Sequence, residues 1–260
     1  MAKTVTIAVA GKGGTGKTTV AALLAQILAK QGTVLAIDAD PSSNLHMCLG
    51  LPQETTVGAV REEAAKKVRS SDFPAGMSKA SYLELGVRQT LVESDKIDLI
   101  AMGRPEGQGC YCAANNVLRG VIDQLARNYD FVVIDNEAGM EHISRQTTRD
   151  VDILLIMSDP SMRGVATAGM IKGLIEELRP HIGKMGLVIN RVEGAIPAAV
   201  EKRIQELGIE ALAVLPSDRE LLDLEASDEP LTKLSDRSAV KLEVLALAKR
   251  LGLVNGTEKR

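Results

Sequence analysis

The sequence predicts an α/β protein, built as a doubly wound, mostly parallel sheet with helices on both faces. Short apolar runs alternate with longer segments of helical periodicity along most of the chain, which is the pattern of strand–helix–strand units. Residues 131–134 (FVVI) are apolar at every position, as expected for a strand buried on both sides. With 260 residues, 45% of them hydrophobic, the chain can bury a large core. We therefore expect a single domain over residues 1–260, with a helical insertion at about residues 51–96.

The first predicted strand and helix enclose a glycine-rich loop. Residues 4–10 alternate as a strand does, and residues 18–30 have the apolar spacing of a helix. Between them lies the string GKGGTGKTT, which fits the phosphate-loop pattern G-x-x-x-x-G-K-[ST]. Gly13, Gly14 and Gly16 lack a Cβ atom, so the backbone can adopt positive φ there and turn successive N–H groups towards phosphate oxygens. The string predicts a nucleoside triphosphate site in a P-loop NTPase.

The polar residues of this loop have distinct expected roles. Lys17 is placed to neutralise the β- and γ-phosphates, the Thr18 hydroxyl to ligate Mg²⁺, and Thr19 to reach the α-phosphate. The amino end of the helix that begins near Lys17 adds unpaired N–H groups and the positive end of a dipole. The predicted nucleotide ligands in the loop are Gly11, Lys12, Gly13, Gly14, Thr15, Gly16, Lys17, Thr18 and Thr19.

The second predicted strand ends in two acids. Residues 33–37 contain an apolar run, and Asp38 and Asp40 follow it. In a parallel sheet the carboxyl ends of the strands share one edge with the phosphate loop. Both carboxylates are therefore expected to face the nucleotide.

The third predicted strand, residues 97–102, leads into a segment with two cysteines. Cys110 and Cys112 are two residues apart, so their sulfur atoms lie on one side of an extended backbone. This spacing makes a poor disulfide, whereas two thiolates can ligate Zn²⁺ or Ni²⁺. A closed site needs four ligands, and the two-fold axis of a homodimer would supply the second pair. The alternative is that both cysteines are small packing residues, as we expect for Cys48.

The second half of the chain continues the alternation of strands and helices. A helix is expected over residues 113–128, and the buried strand after it ends at Asp135, a carboxylate held rigidly enough to serve Mg²⁺. Further strands are predicted over residues 152–157, 185–189 and 211–215, with a helix up to residue 178. The last predicted helix has an apolar face formed by Val240, Val244, Leu247 and Leu251. Within the insertion, helices are predicted over residues 57–68 and 82–92.

The phosphate-loop string resembles the deviant loop of the MinD/ParA and nitrogenase-iron-protein class of ATPases. With IDADP at residues 37–41, GQGCYC at 107–112 and IDNEAGMEHISR at 134–145, the chain looks more narrowly like the CooC-type accessory ATPases. These help to load nickel into carbon monoxide dehydrogenase or its acetyl-CoA synthase partner. The resemblance spans essentially the whole chain and departs from the family pattern at Ala113 and Ala114, where a proline and an acid are expected.

This resemblance implies an ATP-hydrolysing metallochaperone that forms a homodimer with ATP and serves one of those two client enzymes. It implies that Lys12 reaches the nucleotide of the other subunit, that Asp40 orients the attacking water, and that Asp38 supports Mg²⁺ through its water shell. Lys12, Lys17 and Asp40 are thus the expected catalytic residues.

The resemblance also implies where the base lies. Asn190, which follows a predicted strand, is expected to read the edge of adenine, and the segment with Pro216 and Asp218 is expected to line the base. The implied ligands are ATP or ADP, Mg²⁺, and Ni²⁺ or Zn²⁺ at Cys110 and Cys112.

Composition argues against several other partners. The formal charge is −3, the isoelectric point is near 5.8, and no run of Lys and Arg forms a tract, which disfavours nucleic acid or an anionic membrane as the main partner. A strand begins within a few residues of the start and no apolar run reaches membrane-spanning length, so the cytoplasm is the expected location. Two alternatives stay open: a positioning ATPase of the MinD/ParA type, and an iron–sulfur reductase resembling the nitrogenase iron protein.

Overall fold

The structure is a computed structural model that describes residues 3–53, 55–104, 112–137, 150–178 and 181–254. Within these ranges the side chains of residues 112–116 and 150 are not described.

Seven strands of the described chain form one sheet in which all neighbours run parallel. They are β1 (Val5–Gly11), β2 (Val34–Ala39), β3 (Ile97–Ala101), β4 (Phe131–Asn136), β5 (Asp150–Ser158), β6 (His181–Val192) and β7 (Ala211–Pro216). Their order across the sheet is β3-β2-β4-β1-β5-β6-β7. β1 therefore lies in the middle, between β4 and β5.

Helices connect the strands and cover both faces of the sheet. They are α1 (Lys17–Leu28), α2 (Leu45–Leu49), α3 (Val57–Arg69), α4 (Lys79–Gln89), α5 (Cys112–Ala126), α6 (Met162–Leu178), α7 (Ala198–Leu207), α8 (Arg219–Ala226) and α9 (Ala239–Arg250), with a 3₁₀ turn at Leu231–Lys233. This arrangement confirms the predicted doubly wound α/β fold.

The core consists of two apolar layers, one on each face of the sheet. Ile7 and Val9 of β1 belong to the first layer, with α1, α2 and α9. Ala8 and Ala10 belong to the second, with α3 to α7. Alternate residues of one strand thus face opposite layers, as the geometry of a strand requires. The two helices of the predicted insertion, α3 and α4, contribute Val57, Val60, Ala64, Leu83 and Val87 to the second layer.

The starts of two elements differ from the sequence prediction by three residues or more. α4 begins at Lys79, three residues before the predicted start at 82, because the Ser78 hydroxyl accepts a hydrogen bond from the Ser81 N–H and caps the helix. β6 begins at His181 instead of residue 185, because residues 181–184 pair with β5 although they are not buried. Backbone pairing therefore extends beyond the buried apolar run that predicted the strand.

Both outer strands of the described sheet carry a contact that occupies backbone groups. Val92 exchanges two N–H···O=C hydrogen bonds with Leu99 of β3, each 2.9 Å long. At the other edge, the Arg250 guanidinium donates to the carbonyl of Leu212 in β7. These contacts satisfy groups that an edge strand otherwise leaves open.

We predict that the burial of Leu155 in β5, a strand that pairs with β1, is critical for stability. Leu155 of β5 is 0% exposed, whereas Leu242 of α9 is 50% exposed. Leu155→Ala should lower the free energy of unfolding by about 2–5 kcal/mol, because it leaves a cavity in a packed layer, and Leu242→Ala by less than about 1 kcal/mol. Urea unfolding followed by circular dichroism measures both, and equal losses in the two variants would contradict the described packing.

Candidate nucleotide-binding site

The glycine-rich loop lies where an open α/β sheet binds its ligands. It follows β1, whose neighbours β4 and β5 lie on opposite sides, and it leads into α1 at Lys17. From β1 the chain passes to β2, which lies on one side of β1 in the strand order. From β4 it passes to β5, which lies on the other side of β1. The crevice outside the carboxyl ends of the strands at such a change of direction is the usual ligand site.

Glycines give the loop its backbone course. Positive φ angles occur at Gly11 (149°), Gly14 (78°) and Gly16 (84°), and not at Gly13. Gly14 and Gly16 therefore adopt the positive φ that glycine permits, and Gly11 does so as well, which the sequence did not indicate. A Cβ at Gly11 would lie 2.4 Å from the carbonyl oxygen of Met157 in β5. Close packing of the loop entrance against β5 thus requires glycine at this position.

A hydroxyl and a carboxylate meet at the start of α1. Thr18 Oγ1 donates to Asp135 Oδ2 at 2.6 Å, and Asp135 Oδ1 is buried with no hydrogen-bond partner. Burial raises the pKa of Asp135 to about 7, although the bond from Thr18 lowers it. A hydroxyl next to a carboxylate with an unused oxygen is the hard-oxygen donor set that Mg²⁺ prefers. The residues present therefore fit the predicted magnesium site.

Asp38 lies beside Asp135, because the two residues are paired in the register of β2 and β4. Asp38 Oδ1 accepts from the Asp40 N–H at 3.0 Å and Oδ2 accepts from the Leu45 N–H at 2.9 Å. Burial raises the pKa of Asp38 to about 6. The carboxylate thus holds both ends of the loop between β2 and α2. Asp40 is half-buried in that loop, where its Oδ1 accepts from the Ser42 N–H at 2.8 Å.

The two lysines of the loop have different surroundings. Lys17 is buried, with 7% exposure, at the first position of α1. Lys12 is half-exposed, and its ammonium lies 3.9 Å from Asp159 Oδ2. Asp159 follows β5 and also accepts from the N–H and the hydroxyl of Ser161. The contact between Asp159 and Lys12 was not predicted from the sequence.

Asn190 and Asp218 lie at the same edge but are engaged in protein contacts. The Asn190 amide donates to the carbonyl of Thr15 at 2.9 Å. Asp218 Oδ1 accepts from the amide nitrogens of Glu220 and Leu221, and Oδ2 accepts from the Ser238 hydroxyl and the Val240 amide. Asp218 therefore fixes the starts of both α8 and α9. The adenine contacts of Asn190, Pro216 and Asp218 stay predictions.

Two further polar contacts of the site were not predicted. Thr19 Oγ1 donates to Glu225 Oε1 of α8 at 3.1 Å, and the Asn136 amide donates to the carbonyl of Val9 at 3.1 Å. Asn136 could have been found from its place next to Asp135 at the end of a buried strand. The partner of Thr19 lies more than two hundred positions away along the chain, and no local pattern marks it.

The predicted thiolate pair falls largely outside what the structure describes. Cys110 lies outside the described residues, and Cys112 is the first residue of α5 but its side chain is not described. In the described part of the chain, no group of three or more His, Cys, Asp or Glu side chains is placed to hold a metal ion. Cys48 is half-buried against the first apolar layer, and burial raises the pKa of its thiol to about 12, in keeping with the predicted packing role.

Comparison with known proteins decides the family. Residues 6–231 match the CobQ/CobB/MinD/ParA nucleotide binding domain family. The chain belongs to this family. It is accordingly a P-loop ATPase, and ATP, ADP and Mg²⁺ are its expected ligands. None of the described helices combines the length and apolar character needed to cross a membrane.

Individual proteins and solved structures are also similar to this ATPase. It is 43% identical to an uncharacterized ATP-binding protein of Methanocaldococcus jannaschii, over 94% of this chain and 97% of that protein. It is 35% identical to the carbon monoxide dehydrogenase accessory protein CooC of Rhodospirillum rubrum, over 66% of this chain and 69% of CooC. Among solved structures, the MinC:MinD cell division protein complex of Aquifex aeolicus superposes with a TM-score of 0.70 and 23% identity, covering 98% of both chains.

We predict that Asp218 contributes to stability in a pH-dependent manner. Burial alone would raise the pKa of this carboxyl, but the hydrogen bonds from Ser238 and the three amides outweigh it and lower the pKa. The contribution of a carboxylate with a lowered pKa is fully present above the unfolded pKa of about 4 and is lost as the pH falls through the folded pKa. At pH 7, Asp218→Asn should lower the free energy of unfolding by about 1–3 kcal/mol.

This loss should shrink steadily as the pH falls from about 4 to 2, where the wild-type carboxyl takes up its proton. Urea unfolding at several pH values measures it, with the exposed Asp95→Asn as the matched control. A loss for Asp218→Asn that does not change with pH would contradict the stabilised carboxylate.

Proposed function

We propose that this ATPase is an accessory protein that delivers or activates nickel in a metalloenzyme. Cys110 and Cys112 bind Ni²⁺ or Zn²⁺ together with the same pair from a second subunit, and ATP favours the closed homodimer. The client is carbon monoxide dehydrogenase or acetyl-CoA synthase. The observation that supports this proposal most directly is the 35% identity to the accessory protein CooC, in a chain whose Cys-Tyr-Cys segment leads directly into α5.

In this proposal the loop of residues 11–19 binds the phosphates of ATP or ADP. Lys17 neutralises the β- and γ-phosphates, and its burial strengthens the attraction because little water screens it. Thr18 and Asp135 hold Mg²⁺, and Asp38 supports it. When bound, Mg²⁺ supplies further neutralisation of phosphate charge. The base lies against Asn190 and the segment of Pro216 and Asp218.

Asp40 and Lys12 then perform the steps that need a closed dimer. Asp40 orients the water that attacks the γ-phosphate, from a loop whose ends are held by Asp38. Lys12 leaves Asp159 and reaches the nucleotide of the other subunit. The Lys12–Asp159 pair is long and partly exposed, and such pairs contribute only about 0–1 kcal/mol. Release of Lys12 therefore costs little compared with the contacts made across the dimer.

A Lys12→Ala variant tests the role of the exposed lysine. We expect it to bind ATP with less than about threefold loss, because Lys17 remains, but to lose ATP-dependent dimerisation and at least about tenfold in turnover. Gel filtration with a non-hydrolysable ATP analogue and a phosphate-release assay measure these effects. Lys30→Ala, at an exposed position two residues beyond the end of α1, is the control and should behave as wild type. A Lys12→Ala variant that still dimerises with the analogue would contradict the proposal.

Metal stoichiometry tests the shared thiolate site. With the ATP analogue present, we expect one Ni²⁺ or Zn²⁺ ion for every two chains, and loss of that ion in Cys110→Ser and Cys112→Ser. Cys48→Ser should keep it. Gel filtration coupled to elemental analysis gives the ratio directly. One ion per chain, retained in both variants, would count against a site shared between subunits.

The same preparations separate the two alternatives. A positioning ATPase of the MinD/ParA type would sediment with liposomes or DNA in an ATP-dependent manner, which the metal-delivery proposal does not predict. An iron–sulfur reductase would give a brown preparation with visible absorbance and bound iron. The likeness to the MinD structure argues for the fold alone, because its identity is only 23%.

A further inference from the structure

The side chain of Asn190 contacts the phosphate loop itself. Asn190 is 4% exposed and lies near the end of β6. Its Nδ2 donates to the carbonyl of Thr15 at 2.9 Å, and its Oδ1 accepts from the Arg191 N–H at 2.8 Å. A Cβ at Gly16 would lie 2.3 Å from Nδ2. Glycine at position 16 is therefore what allows the Asn190 amide to approach the loop this closely.

From these contacts we propose that Asn190 is a positioning residue for the phosphate loop. It fixes the direction of the loop's N–H groups and so contributes to phosphate binding whatever base the nucleotide carries. This role is separate from reading adenine, and it depends only on the ATPase activity of the family, not on metal delivery.

The planarity of the peptide bond links the Asn190 contact to phosphate binding. In a trans peptide the carbonyl oxygen and the following N–H point in opposite directions, and the described chain contains no cis peptide. When Asn190 holds the Thr15 carbonyl, the Gly16 N–H must point away from Asn190. That N–H lies directly before α1, where backbone N–H groups bind anions.

A second contact fixes an earlier peptide plane of the loop. Thr15 Oγ1 donates to the carbonyl of Lys12 at 2.7 Å, and the Thr15 N–H approaches the same oxygen at 3.4 Å. The carbonyl of Lys12 is thus held towards Thr15, so the Gly13 N–H points away from it. Asn190, Thr15 and Lys12 form a hydrogen-bonded chain, here called the loop bracket, that runs from β6 to the apex of the loop.

The end of β6 is shaped to present Asn190. Arg191 has a φ of 60°, which is uncommon for a residue with a long side chain, and the pairing of β6 with β7 is irregular between Ile189 and Val192. At this irregular strand end the Arg191 N–H donates to Asn190 Oδ1. One donor and one acceptor of the amide are therefore committed within the protein, and the Asn190 side chain is held before any ligand arrives.

Binding of three anions to an Asn190→Leu variant tests the proposal. Leucine has a similar shape, adds no charge and cannot donate to Thr15. We expect Mg-ATP, Mg-GTP and Mg-tripolyphosphate each to bind about five- to tenfold more weakly, by the same factor, as one lost hydrogen bond predicts. Isothermal titration calorimetry measures the dissociation constants. Asn128→Leu, an exposed residue just after α5, is the matched control.

Amide hydrogen exchange without ligand provides a second test. A role of Asn190 in base recognition alone would leave the exchange rates of the loop unchanged. In Asn190→Leu, peptides that cover residues 12–17 should exchange faster without ligand, while those from β4 keep their wild-type rates. Thr15→Val, which removes the hydrogen bond to the Lys12 carbonyl, should weaken the binding of the same three anions. Thr15→Ser, which keeps the hydroxyl, should bind them as the wild type does. If Asn190→Leu does not fold, Asn190→Ala makes the same comparison.

Two results would overturn the proposal. The first is a loss confined to Mg-ATP, with unchanged binding of Mg-tripolyphosphate, because it would make Asn190 a reader of adenine only. The second is unchanged exchange of the loop peptides. A uniform loss with an additional loss for Mg-ATP would support the loop bracket and add a base contact. None of these outcomes depends on Cys110 and Cys112, so the metal-delivery proposal stands or falls separately.

Discussion

The hydrogen bond between Thr18 and Asp135 joins the first turn of α1 to the end of β4, across 117 positions of sequence. It can form only because parallel strands bring their carboxyl ends to one edge, beside the loop that follows β1. The same register places Asp38 next to Asp135. Burial disfavours the ionised form of both acids and raises their pKa, whereas a nearby cation favours the ionised form.

The loop after β1 is held from three neighbouring strands. Thr18 contacts the end of β4, Lys12 pairs with an acid just beyond β5, and Thr15 accepts from Asn190 of β6. The pair at Lys12 is the long one, at 3.9 Å, whereas the contacts of Thr18 and Thr15 are hydrogen bonds of 2.6 and 2.9 Å. The two short contacts therefore fix the part of the loop that surrounds the phosphates, while the lysine at its apex is held less tightly.

The fold and the central loop could be predicted from the sequence because their signals are local. The glycine pattern, the apolar runs and the acids at strand ends are all contained in short segments, and the structure has the predicted order of strands and helices. The helices α2, α7 and α8 were not predicted, since each buries only one or two apolar residues.

Partners that come from distant parts of the chain could not be predicted in the same way. Asp159 and Glu225 meet the loop through the packing of whole elements. The four hydrogen bonds of the Asp218 carboxylate to the starts of two helices likewise join separate segments, and the expected place of Asp218 near the base stays a prediction. The positive φ at Gly11 arises from its contact with β5, which the phosphate-loop pattern does not encode.

The contacts at the two outer strands limit how copies of this protein can associate. Val92 covers backbone groups of Leu99 at one border, and Arg250 covers the Leu212 carbonyl at the other. Joining two sheets into a continuous ribbon would first have to break these bonds. Self-assembly by strand addition is thereby disfavoured, which leaves loops and side chains as the surfaces for contact between copies.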